Sequence, residues 1–384
     1  MFYQLSPAGN PISLASEALS EQQISNLFTP MNVNLYGSGA MALAAAIGSI
    51  VKNSNVQQPE ILLPAYGCPE LISAILFAGA KPRLVDLAPQ RPWLDLHDLK
   101  RKLAANTVAI IAVNLFGISE RYEQLRNLIA DTQIKIIEDS AQSFPTQLNK
   151  HAWHGDLVIL SFGRGKPVSL LGGGAVLTQN PTYQAALPAP NVTAGNSSLL
   201  ETVSYQIKVA LYNILLSPYF YWLPNAMPFL KLGDVAYHPM HELTNFPPSH
   251  LRLLRSNIDR YSHRYGDVQR KLASMLAQMK SHRIVDVAAV CDSGQSALVR
   301  YPLLAGDNTM REKLVRLLDG DGLGVSRMYQ RPLNELPALD AMLSGQGPFP
   351  NAKHFADTLF TLPTHQYLTS CHVARVRDIL TSID

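Results

Sequence analysis

The sequence predicts an α/β protein: a large domain with a mostly parallel mixed sheet flanked by helices, followed by a smaller C-terminal α+β domain. Two observations lead to this prediction. Short apolar segments that suit strands alternate with helix-like segments as far as residue 178. From about residue 247 the alternation gives way to a long helix with charges on one side, then to brief strands mixed with helices. We therefore predict domains at residues 1–246 and 247–384.

Each element of the large domain is predicted from its local pattern. A glycine-rich turn and an alanine-rich helix of high helix propensity occupy residues 37–51. Strands are predicted at 61–64, 81–87, 108–117, 134–139, 156–162 and 173–178, and further helices at 70–79, 96–103 and 122–130. Polar residues stand at the ends of two strands, Asp139 and Ser161, where ligands bind in sheets of this kind.

Composition excludes several classes of protein. Only 16% of the 384 residues are charged, against about 25% in a typical globular protein, which argues against disorder. The net charge of +3 without a basic run gives no reason to expect nucleic acid. Three widely spaced cysteines and scattered histidines predict neither disulfides nor a metal site. The first 16 residues lack the pattern of a secretory signal, so we expect a cytoplasmic protein.

An apolar insertion around residues 199–232 stands apart from this pattern. Its core, residues 209–230, is uncharged and contains three prolines, which should divide it into short helical pieces. We interpret it as a buried dimer-interface or lid segment. Contact with a membrane surface, peripheral to the inner face of the membrane, is the second interpretation, and a membrane span is the least favoured.

Three features together suit pyridoxal phosphate. The turn at Ser38 and Gly39 opens a helix, whose free amides and dipole can bind a phosphate. Asp139 ends a buried strand, and a carboxylate there can hold a pyridine nitrogen protonated. Lys166, in the glycine-flanked segment SFGRGKP, can form the Schiff base. Each residue also has an ordinary interpretation, Asp139 as a helix cap and Lys166 as a surface cation.

With these motifs in view, the chain resembles the DegT/StrS family of sugar aminotransferases, which are fold-type-I pyridoxal phosphate enzymes. The resemblance runs from about residue 36 to the C-terminus. The matching segments are GSGAMAL, LLPAYGCPELISAILFAGAKPRLVDL, AIIAVNLFG, IIEDSAQSF, GDLVILSFGRGK, GGGAVLT, TNFPPSHLRLL, SRMYQRPLN and LFTLPTH. The set is specific, although no single piece is.

The resemblance implies roles for individual residues. Lys166 would be the cofactor lysine and Asp139 the partner of the pyridine nitrogen, with Gln142 at the ring hydroxyl. Ser161 and the amides of Ala40 and Met41, beside Ser38, would bind the phosphate. Asn245 would reach the phosphate of a neighbouring subunit, which implies a homodimer with shared active sites.

This sequence departs from the family pattern around the pocket. Cys68 stands where an aromatic residue usually stacks on the cofactor ring, and Tyr66 is the candidate substitute. Ala40 stands where the family often has threonine. We assign Arg164, Arg327 and Tyr329 to the substrate.

The resemblance implies transfer of an amino group from glutamate or glutamine to a keto sugar, nucleotide-linked, for surface polysaccharide or glycoconjugate synthesis. A sugar dehydratase is one alternative, although in the related dehydratases a histidine replaces the lysine. A non-catalytic regulatory or membrane-associated member of the fold is the other.

Overall fold

The computed structural model describes residues 3–145, 153–188, 198–226, 236–262, 267–279, 283–293 and 297–383. The strands are β1 (Asn32–Tyr36), β2 (Glu60–Pro64), β3 (Lys81–Val85), β4 (Thr107–Val113), β5 (Lys135–Asp139), β6 (Leu157–Ser161), β7 (Gly174–Thr178), β8 (Ile284–Asp286), β9 (Arg300–Ala305) and β10 (Leu359–Pro363). The helices are α1 (Glu21–Leu27), α2 (Gly39–Ser54), α3 (Glu70–Phe77), α4 (Leu96–Lys102), α5 (Tyr122–Leu128), α6 (Pro181–Ala186), α7 (Leu199–Leu216), α8 (Trp222–Asn225), α9 (Pro248–Leu251), α10 (Leu254–Ser262), α11 (Asp267–Gln278), α12 (Val287–Val290), α13 (Asn308–Gly320), α14 (Asp340–Leu343), α15 (Pro350–Thr358) and α16 (Ser370–Thr381).

The central sheet has the strand order β1-β7-β6-β5-β4-β2-β3 within the described residues. Strands β3, β2, β4, β5 and β6 run parallel, and β7 is antiparallel to both β6 and β1. This confirms the predicted mostly parallel, mixed sheet. Both faces are covered by helices, as the fully buried strand β4 requires, since its residues are buried whichever way they point.

The two faces of the sheet pack against different helices. Ile111 of β4 belongs to a cluster with the alanine-rich helix α2, whereas Ile110 belongs to a cluster with Leu99 of α4 and Leu125 of α5. Small side chains let α2 lie close to the sheet, because four alanines, Ala42, Ala44, Ala45 and Ala46, are buried without filling much space. The helix therefore brings its N-terminus close to the ends of β6 and β7.

The carboxyl ends of β2, β4, β5 and β6 meet at one edge of the sheet, which we call the carboxyl edge. It carries the last residues of β5 and β6, Asp139 and Ser161, and residues of the loops that follow β2 and β4, among them Tyr66 and Phe116. In open parallel sheets ligands bind in the crevice beyond this edge, so the fold collects the polar strand ends into one place.

A three-stranded antiparallel sheet, β10-β9-β8, forms the centre of the C-terminal part, with α13 and α15 packed against β9. The chain just before β9 contacts the carboxyl edge, because the N–H of Val299 donates to the carbonyl of Phe116 at 2.9 Å. At the other terminus, the N–H of Leu5 donates to the carbonyl of Gly322 at 2.8 Å. The division at residue 246 stays a prediction.

The prediction of a single long helix after residue 247 is wrong at its N-terminal end, where the chain forms two helices separated by a turn. Helix α9 ends at Leu251, a tight turn follows in which the N–H of Leu253 donates to His250, and α10 begins at Leu254. Leu251, Leu253 and Leu254 are all buried. A continuous helix would direct Leu253 away from the other two, so the turn is what allows all three to be buried. Residues 263–266 lie outside the described part.

The apolar insertion forms α7 and α8, and Pro218 directly follows Ser217, the residue that caps the C-terminus of α7. Tyr205, Val209 and Leu216 form the buried face of α7. Residues at helical spacing on its other face are exposed: Leu200 is 82% exposed, Ile207 62% and Leu211 53%. No helix in the described residues is both long and apolar enough to cross a membrane. Residues 227–235, including Pro228, lie outside the described part.

Candidate functional site

Two neighbouring carboxylates at the end of β5 are both buried but have different surroundings. Glu138 accepts hydrogen bonds from two side chains and two backbone N–H groups. The donors are Asn114 at 3.1 Å, Ser140 at 2.8 Å, His154 at 2.6 Å and Gly155 at 2.9 Å. Asp139 is 8% exposed, and its carboxylate accepts a single hydrogen bond within the described residues, from the N–H of Ala141 at 3.0 Å. Glu138 is therefore held by the protein, and Asp139 retains capacity to bind another group.

The charge state of Asp139 depends on burial and on Lys166. Burial raises the pKa of the Asp139 carboxyl, whereas the Ala141 hydrogen bond and the positive charge of Lys166 lower it. No cation in the described residues comes within ion-pair distance of this carboxylate. A cationic ligand group placed against Asp139 would supply the missing compensation for its burial.

The N-terminus of α2 and the end of β6 form a narrow cradle. The Ser38 hydroxyl caps the helix by accepting from the N–H of Met41 at 3.2 Å. A Cβ on Gly39 would lie 2.7 Å from the Cβ of Ser161, so only glycine permits this approach. The structure thus brings Ser38, Ala40 and Ser161 together. The Met41 amide is engaged by the cap, and its part in phosphate binding stays a prediction.

Lys166 lies in a tight turn after β6. Its N–H donates to the carbonyl of Gly163 at 3.4 Å, and Gly165 has φ +69°, a conformation that glycine adopts without strain. The electrostatic influence of Lys166 reaches both Asp139 and Cys68. The lysine predicted from SFGRGKP and the aspartate predicted from the strand end are therefore neighbours in space.

Aromatic and polar side chains form a wall beside Lys166 and Asp139. The Tyr66 and Tyr329 rings meet edge to face with centroids 5.5 Å apart. Gln142 accepts from the N–H of Phe116 at 3.1 Å and donates to the Tyr329 hydroxyl at 3.4 Å. Burial raises the pKa of the Cys68 thiol to about 11, so Cys68 is a neutral thiol at physiological pH. We name this group the tyrosine wall: Tyr66, Cys68, Gln142 and Tyr329.

Three predicted residues have other positions or partners. Arg164 is exposed and lies near Tyr212 of α7, where its charge lowers the pKa of that hydroxyl against the larger effect of burial. Arg327 donates to both oxygens of Glu312, at 3.1 and 2.8 Å, so its guanidinium already has a partner. Asn245 is exposed and bridges to Tyr36. Their assigned roles stay predictions.

Helix α7 contacts the loop that carries Lys166. The Tyr205 hydroxyl donates to the carbonyl of Leu170 at 2.8 Å, and the Tyr212 hydroxyl lies beside the backbone of Gly165. The buried face of the insertion therefore supports the lysine loop, a contact that the apolar composition of the segment did not indicate.

One residue near the tyrosine wall was not found from the sequence. Arg300 begins β9, and its Nη1 is buried without a hydrogen-bond partner among the described residues. An arginine at the start of an otherwise apolar strand, RYPLLA, is a signal of the same kind as the aspartate that ends β5.

Comparison with known proteins agrees with this geometry. The sequence model of the DegT/DnrJ/EryC1/StrS aminotransferase family matches residues 21–189 and 250–381, leaving out the interval that contains α7 and α8. GDP-perosamine synthase of Vibrio cholerae is 24% identical over 162 residues, which are 42% of this chain and 43% of the relative. A 3-oxo-glucose-6-phosphate:glutamate aminotransferase of Bacillus subtilis is 30% identical over 123 residues, 32% of this chain and 27% of the relative.

These alignments span less than half the length of the two curated relatives. Similarity in structure extends further. A Bacillus subtilis protein solved with the cofactor PMP bound has a TM-score of 0.70 at 16% identity, covering 94% of this chain and 75% of the other. The fold is also that of a putative sugar aminotransferase of Streptococcus pneumoniae, with a TM-score of 0.72 at 19% identity, covering 99% of this chain and 98% of the other. From the extent of the family match, the chain belongs to the DegT/DnrJ/EryC1/StrS aminotransferase family.

Proposed function

We propose that the chain is a pyridoxal phosphate-dependent aminotransferase that moves an amino group from glutamate or glutamine to a keto sugar, nucleotide-linked, in the cytoplasm. The observation that carries the proposal is the convergence of Asp139, Lys166 and the α2 cradle at one carboxyl edge. Synthesis of surface polysaccharide or glycoconjugate is the pathway that the family suggests.

The residues present fit this cofactor on two independent observations. Asp139 is a buried carboxylate without a cation at ion-pair distance among the described residues, which suits a protonated pyridine nitrogen. The Gly39 cradle leaves no space for a side chain, and α2 presents its N-terminus there, which suits a phosphate. When bound, the cofactor supplies an electron sink.

The protein's own residues then have separate tasks. Lys166 would hold the cofactor covalently and, once released, move a proton at the substrate carbon that carries the amine. Asp139 would keep the proton on the pyridine nitrogen. Ser161 and the Ala40 amide would anchor the phosphate and so fix the orientation of the ring. Tyr66 and Cys68, on the tyrosine wall, would border its face.

A half-reaction tests this function directly. The purified holoenzyme should change its visible absorbance when glutamate or glutamine is added, and the aminated enzyme should return to its first state with a nucleotide-linked keto sugar. A panel of such sugars would identify the acceptor. Absence of any spectral change with either donor would contradict the proposal.

We further infer that the protein is a homodimer with shared active sites. Two observations support this. Asn245 is exposed within its own chain and free to reach another, and α7 displays an apolar face at Leu200, Ile207 and Leu211. Solvent exposure of such a face is unfavourable and typical of a binding surface. A protein partner is favoured over a lipid surface because α7 lacks the basic cluster that anionic lipid attracts.

A further inference from the structure

Arg300 is a partly exposed arginine whose Nη1 is completely buried. Among the described residues, Nη1 has no hydrogen-bond partner. A guanidinium carries five N–H donors and remains charged at every physiological pH. Burying part of it without an acceptor is costly, so the arrangement calls for an anion that is supplied from outside the chain.

The ionisable groups that influence Arg300 are tyrosines and a histidine. Burial lowers the pKa of the Arg300 guanidinium, and the hydroxyls of Tyr329, Tyr221 and Tyr66 oppose that effect. The charge of Arg300 also acts on His365. Burial, the largest cause, lowers the pKa of the His365 imidazole to about 4, so this side chain is neutral at physiological pH. No carboxylate in the described ranges lies within ion-pair distance of Arg300.

Other arginines of the chain show what a structural role looks like. Arg121 pairs with Glu120 at 3.2 Å, and Arg327 forms a two-pronged pair with Glu312. Both guanidiniums are matched by acids within the protein. Arg300 carries the same charge in a comparably enclosed position, but no acidic side chain of the described residues pairs with it. This difference distinguishes a ligand-binding arginine from a structural one.

A series of backbone and side-chain contacts connects the start of β9 to the residues beside Lys166 and Asp139. The preceding residue, Val299, donates to the carbonyl of Phe116 at 2.9 Å, and the N–H of Phe116 donates to Gln142 at 3.1 Å. Gln142 in turn donates to Tyr329, whose ring contacts Tyr66. The start of β9 is therefore fixed to the same tyrosine wall that borders Lys166 and Asp139.

We propose that Arg300 binds the carboxylate of the amino donor, an inference that rests on the proposed aminotransferase function. The Tyr66 hydroxyl, which is buried beside the backbone of Tyr329, would donate to the same carboxylate. Planar guanidinium and planar carboxylate match in a two-pronged geometry. The donor's amine would then be presented to the region of Lys166.

A keto-sugar nucleotide would bring a different oxyanion, its diphosphate. A carboxylate suits Arg300 better, because its guanidinium lies among tyrosine rings in an enclosed space, and Arg311, the other arginine that influences Tyr66, already pairs with Glu312 at 3.0 Å. A diphosphate carries more charge and a bulky nucleoside, which require several cations and an open groove. The experiment must separate these two ligands.

The test is a titration of the holoenzyme with L-glutamate, followed by absorbance, in the wild type and in Arg300→Gln. The variant should need about 100-fold more glutamate for half-saturation, because a buried charge pair loses one partner. Arg300→Lys keeps the positive charge but loses the planar guanidinium that can bind both carboxylate oxygens. Its glutamate concentration for half-saturation should lie between those of the wild type and Arg300→Gln. Arg377→Gln, at an exposed arginine of α16, is the matched control and should titrate like the wild type.

Four further readouts separate the proposed role from a general loss of structure. Thermal melting and the cofactor spectrum before titration should be unchanged in Arg300→Lys. n-Butylamine, an amine without a carboxylate, should react equally weakly with the wild type and Arg300→Gln. Binding of UDP and GDP, measured by calorimetry, should be the same in both.

Each contrary result has a distinct meaning. If Arg300→Gln or Arg300→Lys binds glutamate as the wild type does, Arg300 is not the donor site, and the aminotransferase function stands. If the nucleotide diphosphates lose affinity and glutamate does not, the residue binds phosphate and the proposal is overturned. If the wild type responds to neither glutamate nor glutamine, the proposed function fails and this inference fails with it.

Discussion

The carboxyl edge of the central sheet and the outer face of α7 are both locally unfavourable, but in opposite ways. At the edge, the polar groups of Asp139 and Arg300 are enclosed with few partners. On α7, the apolar side chains of Ile207 and Leu211 are exposed. A charge left without compensation requires a charged small ligand, whereas an apolar face left in water requires another large surface. An uncompensated buried charge thus indicates a small charged ligand, and an exposed apolar face indicates a macromolecular partner.

Replacing the lysine at the edge should have the largest effect. Lys166→Ala should abolish turnover while folding and oligomeric state persist, because the variant loses the covalent nucleophile, whose side chain makes no hydrogen bond or ion pair with the described residues. Steady-state assays with size-exclusion chromatography check this. Residual turnover near the wild-type rate would show that Lys166 is not the reacting group.

Removing the charge of Asp139 should have the next largest effect. Asp139→Asn should retain the cofactor and slow amino transfer by about 10²-fold or more, since an amide does not hold the pyridine nitrogen protonated. Single-turnover kinetics with glutamate measure the rate. A near-normal rate would make Asp139 a structural residue.

Ser161→Ala should weaken the cradle without destroying it. One hydrogen bond to a phosphate is lost while the α2 N-terminus remains, so we expect cofactor affinity to fall about tenfold. Equilibrium dialysis of the apoprotein with pyridoxal phosphate provides the value. Unchanged affinity would place the phosphate elsewhere.

The neighbouring acids Glu138 and Asp139 should respond oppositely in the apoprotein. At neutral pH Glu138→Gln should destabilise the fold by about 1–3 kcal/mol, because buried donors lose their acceptor, whereas Asp139→Asn should stabilise it slightly, because the amide removes a buried charge and still accepts from the N–H of Ala141. Denaturant unfolding measures both. Equal losses would contradict the distinction drawn between the two carboxylates.

The pH dependence of stability sharpens the same contrast. Burial raises the pKa of Asp139 in the folded protein, so its contribution is fully present below the unfolded-state pKa of about 3.9 and is lost as pH rises through the higher folded-state pKa. Asp139→Asn should remove this part of the pH profile. A profile identical to that of the wild type would show that burial does not control Asp139.

Changes on α7 should have the smallest effect on chemistry and a clear effect on assembly. Ile207→Ser combined with Leu211→Ser should favour the monomer, because the proposed interface loses its apolar contacts. Leu317→Ser, at another exposed leucine, is the control. Sedimentation measures the dimer. Flotation of the wild type with liposomes, lost in Phe220→Ser with Trp222→Ser, would instead assign the segment to a membrane.

Sequence patterns predicted the parts of the fold that depend on local chemistry. Six of the seven strands of the central sheet follow from short apolar runs, whereas β1 was not predicted. The cradle, Asp139 and Lys166 were predicted from their combination, since each residue alone also has an ordinary interpretation. The turn between α9 and α10 could not be predicted, because it depends on the hydrophobic cluster against which Leu253 packs in the folded protein. Arg300 was not identified from the sequence. The lack of a counter-ion among the described residues is a property of its surroundings in the folded protein, and the segment RYPLLA does not show it.

The account's central claim is that Lys166 holds the cofactor at the carboxyl edge beside Asp139. Borohydride reduction of the holoenzyme, followed by peptide mass spectrometry, tests it most directly. We expect the reduced pyridoxyl group on the peptide that contains Lys166, and no label on that peptide in Lys166→Ala. A label on a different lysine of the wild type, with the Lys166 peptide unmodified, would contradict the assignment.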